Sequence, residues 1–360
     1  MSINKESVMS LLAGIFDENT GCDLVAAGAV RAVGIHASTV NADIRLGYMV
    51  ADKGVSLAAA IKQRLEQNAD IELANVNVGC KVHPHKVQNE LKPLETISNI
   101  IAVGSGKGGV GKSTTAVNLA LALQEEGARV GLLDADIYGP SIPTMLGIKG
   151  QPDVDGKKIV PKQAHGLKVM SIGFLVEDDT PMIWRGPMVT SALQQLLNDT
   201  LWGSLDYLII DLPPGTGDIQ LTLAQKVPTA GAIIVTTPQD IALLDARKAV
   251  HMFRKVNVPV LGVVENMSTH ICTSCGFEEA IFGHGGGEKM AEDFDLPLLG
   301  QLPLAMDIRT ALDEGNPSVI KNPDSTEAQS YRRLALRTAG ALAMMPRSMT
   351  FQMPEILVSN

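Results

Sequence analysis

The spacing of apolar residues changes character near residue 100. Before it, Val8, Leu11, Leu12 and Ile15 recur at helical spacing over Glu6 to Asp17, while Val40, Ala42, Ile44 and Leu46 alternate with polar neighbours as in a half-buried strand. Ser56 stands where an N-cap would open a second helix through Ile61 and Leu65, and Ile71 to Val78 predicts a further strand. Residues 1–90 thus read as a small α/β domain, and 91–98, with Pro93 and mixed charges, as a linker. Over 99–345, short unbroken apolar runs alternate with amphipathic segments, which predicts a doubly wound, mostly parallel sheet with helices on both faces. Residues 346–360 read as a tail.

Several of these apolar runs end in polar residues. Ile100 to Val103 leads into Gly106-Lys107-Gly108-Gly109-Val110-Gly111-Lys112-Ser113-Thr114, and Ala116, Leu119, Ala120 and Leu123 follow at helical spacing. Strand, glycine-rich loop and helix in that order form a phosphate cradle: backbone N–H groups converge, and the helix presents its positive end to the same point. Lys112 can reach the β- and γ-phosphates of a nucleotide, and the Ser113 hydroxyl can ligate Mg²⁺. Lys107 is a further cation that a loop gripping one nucleotide does not need. Val130 to Leu133 runs into Asp134-Ala135-Asp136, and Tyr207 to Ile210 into Asp211-Leu212-Pro213-Pro214-Gly215, where Asp211 suits a Mg²⁺-bound water. Val260 to Val264 runs into Glu265-Asn266. There Asn266 can read an adenine edge or serve as a turn residue.

Composition narrows the classes. The chain has 360 residues, 45% of them hydrophobic, and a net charge of −9. That charge disfavours a nucleic-acid partner, and no apolar run approaches the length of a membrane span. The first residues lack the basic-then-apolar order of a signal peptide, so the expected location is cytoplasmic. Four cysteines are present, and Cys22 and Cys80 stand alone. Cys272-Thr273-Ser274-Cys275 is a CxxC that suits one face of a tetrahedral thiolate site. With no second CxxC, two subunits across a twofold axis would complete four ligands, making a homodimer. An iron–sulfur cluster is the first reading of the pair, zinc the second and a redox dithiol the third.

The loop from Gly106 to Ser113 with its extra lysine, Asp134-Ala135-Asp136, Asp211 to Asp218, Glu265-Asn266-Met267-Ser268 and Cys272 to Cys275 occur in one order. Together they resemble the Mrp/ApbC family of P-loop ATPases that carry iron–sulfur clusters. Trp184-Arg185-Gly186-Pro187 and Phe282-Gly283-His284-Gly285-Gly286-Gly287 look like further family segments. The resemblance covers roughly 99–345, and the order and size of the first domain match as well. It implies that Lys107 reaches the partner's nucleotide, that Asp136 orients the attacking water with Asp134 nearer the metal or structural, and that Asn266 contacts adenine. It also implies a [4Fe–4S] cluster bridged between two copies, received from an assembly scaffold and passed to apo-proteins. Thr273 departs from the family, which commonly has proline there. Two rivals differ in class. A spatial-positioning ATPase would bind a membrane or DNA-bound scaffold and has no use for Cys272 and Cys275, and a reductase component would pass electrons without losing iron.

Overall fold

The computed structural model describes residues 3–52, 54–88, 91–137, 139–175, 186–272 and 274–348. Trp184, Arg185, Thr273 and the tail from 349 lie outside them.

In the first domain, helix α1 (Lys5–Ala13) starts on Asn4, whose side chain accepts from Ser7 N–H at 2.8 Å. It stops at Gly14, so Ile15 to Asp17 are not helical as the spacing suggested. Strands β1 (Val30–His36) and β2 (Thr39–Leu46) pair antiparallel, α2 (Val55–Glu66) crosses over, and β3 (Leu73–Cys80) returns parallel to β2. The second helix is not capped by Ser56. Asp52 takes that role, accepting from Gly54 and Ser56 N–H. Val40, Ala42, Ile44 and Leu46 face inward as their alternation required, while Asn41 and Asp43 on the other face accept from Asn75 and Asn77.

The second domain opens with β4 (Ile97–Gly104), which begins inside the stretch read as linker, and continues into α3 (Lys112–Glu125). Then follow β5 (Val130–Asp134), β6 (Lys162–Ala164), β7 (Leu167–Ser171), α4 (Gly186–Asp199), β8 (Leu205–Asp211) and α5 (Asp218–Lys226). Next come β9 (Gly231–Thr236), α6 (Asp240–Lys255), β10 (Val260–Asn266), α7 (Gly286–Phe294), β11 (Leu298–Leu302), α8 (Met306–Asp313) and α9 (Thr326–Ala343). Among the described residues these strands form one sheet in the order β6-β7-β5-β8-β4-β9-β10-β11, parallel except for the edge strand β6. β4 therefore lies in the middle, and the loops after β5, β8, β9 and β10 crowd around its carboxyl end, where such sheets take ligands.

Helix α3 was expected to be amphipathic, yet residues 115–123 are buried on every side. α9 covers the face turned away from the sheet, so the helix is core throughout. Each leucine buried there contributes about 1.5–3 kcal/mol. The far end of α3 also holds the first domain: Glu126 accepts from Ala51 N–H at 2.8 Å and from Arg332 of α9 at 3.0 Å. Small residues let the seam close, since a Cβ on Gly340 would lie 2.1 Å from the Asn19 carbonyl. His85 belongs to this seam, its N–H and ring both meeting Asn99 at 3.0 Å. Burial holds its pKa below the usual value. No helix of the described residues is long and apolar enough to cross a membrane.

Candidate functional site

Register brings the acidic residues together. Asp211 ends β8 beside Asp134 of β5 on one flank and Val103 of β4 on the other, so the two carboxylates stand side by side at the carboxyl end of the sheet and Asp211 reaches the loop that follows β4. Asp211 is fully buried, and its two oxygens meet Lys112 Nζ at 2.6 Å and Ser113 Oγ at 2.5 Å. Lys112 Nζ also lies 3.8 Å from Asp136. A buried carboxylate without partners would take up a proton; burial does raise the Asp211 pKa, and Lys112 and Ser113 oppose the rise. Asp134 forms no ion pair among the described residues. Burial first, then the charge of Asp211, pushes its carboxyl up to about 8, and the Lys112 charge lowers it only in part. It accepts from Asp136 N–H at 3.1 Å, Ile142 N–H at 3.3 Å and Ser171 O–H at 3.0 Å, holding the segment that carries Asp136.

Two glycines show why the loop has its composition. Gly111 has φ +80°, and a Cβ there would lie 2.1 Å from the Asn266 amide nitrogen. At Gly106 a Cβ would meet the Asp245 backbone of α6 at 2.1 Å. The loop is thus clamped between β10 and α6. Ser105 Oγ donates to the Lys107 carbonyl at 2.9 Å, and Gly215 N–H donates to the Ser105 carbonyl at 3.0 Å, which ties the turn after Asp211 to the loop. Lys107, Gly108, Gly109, Lys112, Ser113 and Asp136 line a pocket of about 210 Å³. Lys107 makes no ion pair among the described residues.

A second cavity, about 670 Å³, adjoins that pocket through Gly111 and Thr114. Its wall is mostly apolar, with Met145, Met267, Pro303, Leu304, Ile308 and Leu312. Asn266 lines it as well; its amide donates to the Val110 carbonyl at 2.9 Å, which leaves the side-chain oxygen as an acceptor. Phosphate-sized and nucleoside-sized spaces therefore share the loop between them. Sequence spacing did not single out Ser171, Ser105 or the apolar wall. Ser171 follows the same rule as Asp134, a polar residue closing an apolar strand; the wall comes from segments too far apart for any local signal.

Cys272 and Cys275 lie away from the acidic cluster, in a hairpin whose short strands His270–Ile271 and Glu278–Glu279 pair antiparallel. Cys272 N–H donates to the Phe277 carbonyl and Gly276 N–H to the Cys272 carbonyl, closing the turn. Backbone N–H groups of Ser274 and Cys275, then the Cys275 side chain, lower the Cys272 thiol pKa, which favours the thiolate that binds metal. No group of three or more His, Cys, Asp or Glu suited to a metal occurs among the described residues, so one hairpin offers a pair of sulfurs and no more. Of the glycines after the hairpin, Gly286 and Gly287 pack tightly: Gly287 N–H donates to Glu265 at 2.6 Å, and a Cβ on Gly287 would lie 2.8 Å from that side chain.

A parallel sheet with a glycine-rich loop, lysine, serine and aspartate converging at one strand end defines a P-loop nucleotide-binding protein. The chain belongs to the family of NUBPL iron-transfer P-loop NTPases, whose family model matches residues 96–339; that of an iron-sulfur cluster assembly protein matches residues 5–78. It is 60% identical over 275 residues to the iron-sulfur cluster carrier protein of Pseudomonas fragi, covering 76% of this chain and 96% of that one. To the iron-sulfur cluster transfer protein NUBPL of Mus musculus it is 52% identical over 258 residues, covering 71% and 81%. Among solved structures, a nucleotide-binding protein from Archaeoglobus fulgidus in complex with ADP is similar with TM-score 0.56 and 37% identity, over 65% of this chain and 96% of that one.

Proposed function

We propose that the chain is a cytoplasmic iron–sulfur cluster carrier. As a homodimer it binds and hydrolyses ATP with Mg²⁺, holds a [4Fe–4S] cluster between its two Cys272–Cys275 pairs, and passes that cluster from an assembly scaffold to apo-proteins. The observation that carries the reading is the pairing, in one chain, of an assembled phosphate site with a thiol pair, one of its cysteines exposed, that would make half of a four-thiolate site. A cluster takes four cysteines, and a second copy supplies the other two. Ile271, Phe277 and Ile281 around the pair are 48%, 65% and 50% exposed, apolar surface of the kind that an interface covers.

The donor set fits a hard cation beside phosphate: Ser113 Oγ and Asp211 meet at 2.5 Å, and the carboxylate has no exposure of its own. Ser113 would hold Mg²⁺ directly and Asp211 through water, and the ion would supply charge neutralisation on the β- and γ-phosphates. Incoming phosphates compete with Asp211 for Lys112, so the ammonium turns from the carboxylate to the nucleotide. The loop N–H groups hold the phosphates in place. Asp136, fixed through Asp134, orients the water that attacks, and Lys107 reaches the partner's γ-phosphate to offset charge in the transition state.

Hydrolysis then acts as a switch. Loss of the γ-phosphate frees the Asp211 turn, which is bonded to the loop through Gly215 and Ser105. At the end of β10, Asn266 lines the nucleoside cavity and its neighbour Glu265 holds Gly287, which follows the cysteine hairpin. That adjacency gives nucleotide state a short path to the cluster. Anaerobic reconstitution followed by iron analysis and native mass tests the reading. The expected result is about two irons per subunit in a dimer, with transfer to an apo-acceptor at a rate that differs between ATP and ADP. Colourless protein retaining zinc, or a monomer with nucleotide and iron supplied, overturns it; strong ATP-dependent pelleting with liposomes or DNA favours the spatial-positioning reading.

A further inference from the structure

The first domain turns one face of its sheet to solvent. Asn41, Asn75 and Asn77 are exposed there, and with Ala32, Gly34 and Asp43 they line a shallow groove of about 440 Å³. Asn75 donates to Asn41 and Asn77 to Asp43, both at 2.9 Å. A carboxamide carries two N–H groups and two lone pairs, so this ladder still presents donors and acceptors to solvent. The groove runs into a group of cations. In the parallel register Arg45 lies beside Gly79, one pair beyond Asp43 and Asn77 on the same face, and Lys81 continues that row, its N–H bonding the Leu46 carbonyl at 2.9 Å. The segment after α9 brings in Arg347: Lys86 N–H donates to the Pro346 carbonyl and Ser348 N–H to the Pro84 carbonyl, both at 2.9 Å, which sets Arg347 opposite His85. His83 stands among them. Burial first, and then Arg347, Lys81, His85 and Arg45, lower its pKa to about 4.

Arg45, Lys81 and Arg347 make no ion pair among the described residues, while Asp43 is met by Arg31 at 3.8 Å. In a chain of net charge −9 this cluster is positive charge without a counterpart, and its self-repulsion is relieved where an anion meets it. We propose that this face of the first domain docks an extended acidic segment of a partner protein, its backbone on the asparagine ladder and its carboxylates on Arg45, Lys81 and Arg347. The inference goes beyond the carrier reading and does not depend on it. An extended segment offers N–H and C=O groups in turn, which side-chain amides of both polarities can meet. Carboxylates spaced along it reach guanidinium and ammonium groups as charge-assisted hydrogen bonds. Nucleic acid suits the face less well. No aromatic side chain lines the groove for a base to stack on, and the net charge opposes a large polyanion.

The test measures binding of a labelled oligoglutamate peptide to the full-length protein by fluorescence anisotropy. Reversing two cations together, Arg45→Glu with Lys81→Glu, is expected to weaken binding about tenfold at low salt, since two exposed pairs give way to repulsion. The difference should shrink as salt rises. Asn75→Ala with Asn77→Ala should weaken binding about threefold at every salt concentration, as lost neutral hydrogen bonds do. The ring resonances of His83 should shift as peptide is added, and those of His284 in the second domain should not. Lys157→Glu with Lys255→Glu, a reversal of exposed cations in the second domain, controls for net charge, and an equal loss there overturns the site. Affinity unchanged by the Arg45 and Lys81 reversal overturns it, as does a His83 signal that stays still. A DNA duplex bound at the same residues more tightly than the peptide assigns the face to nucleic acid and overturns the acidic partner. Peptide binding that appears only after truncation following Ser348 assigns the face to the chain's own tail and does the same.

Discussion

The phosphate loop and the cysteine hairpin are two polar sites built on opposite terms. Around the loop, Lys112, Asp136 and Asp211 are buried and bonded to one another, and their positions follow from strands paired in register at the centre of the sheet. The hairpin rests on two-residue strands, and Cys275 is exposed. A site that must hold charge against a reacting phosphate gains from rigid, dry surroundings. One that must give its contents away gains from being shallow and shared. The contrast teaches that the lysine and aspartates of the loop meet within one copy, whereas one hairpin offers a pair of sulfurs and no more.

The largest effect should come from the hairpin. Replacing Cys272 or Cys275 by serine is expected to reduce iron after reconstitution to background while ATP affinity stays within about twofold, since two thiolates of the four are lost; substantial iron in either variant would break the division between the sites. Lys107→Ala should slow hydrolysis by about a thousandfold if the lysine acts as a finger in trans, and mixing it with a variant defective elsewhere in the loop should restore part of the rate. Lys112→Ala leaves Asp211 buried without its cation and should cost about 3–5 kcal/mol by denaturant unfolding at neutral pH. Adding Asp211→Asn should recover much of that loss, a recovery that charge burial predicts and a packing defect does not. Asp136→Asn is expected to reduce turnover about a hundredfold with nucleotide affinity kept; an unchanged rate would remove it from the site.

The smallest effect lies at the seam between the domains. Because burial holds the His85 pKa below its usual value, the unfolded chain takes up the proton first as pH falls. Stability from His85 is therefore present above about pH 6.5, the ordinary histidine value, and is lost below it. Melting temperatures at pH 7.5 and 5.5 should differ less in His85→Gln than in the wild type.

Much of the nucleotide site could be read before any fold was known. A phosphate loop is contiguous, so the residues from Gly106 to Ser113 declare it by themselves, and the aspartates close apolar runs that have no other reason to end in charge. Helix boundaries were less legible. Asp52 caps α2 from three residues before the helix begins, where Ser56 stood in the more obvious place, and Gly14 stops α1 although the apolar spacing runs on to Ile15. The burial of α3 on all sides was illegible because the covering residues of α9 lie some two hundred positions further along. Ser171 and Glu126 escaped notice for a related reason: each is an ordinary residue in its own segment and acquires a role from what lies across from it.

By itself the order of residues determined which groups can meet a phosphate and which can hold a metal, because both motifs are local and their spacing carries the chemistry. Tertiary structure alone decided that Asp211 and Asp134 stand side by side, that Lys112 rests on the first and not the second, and that a cavity lined by Asn266 opens next to the loop. Those outcomes depend on strand register and on which helix covers which face. Both are set by distant segments competing to bury the same apolar surface, and no window of neighbouring residues contains that competition.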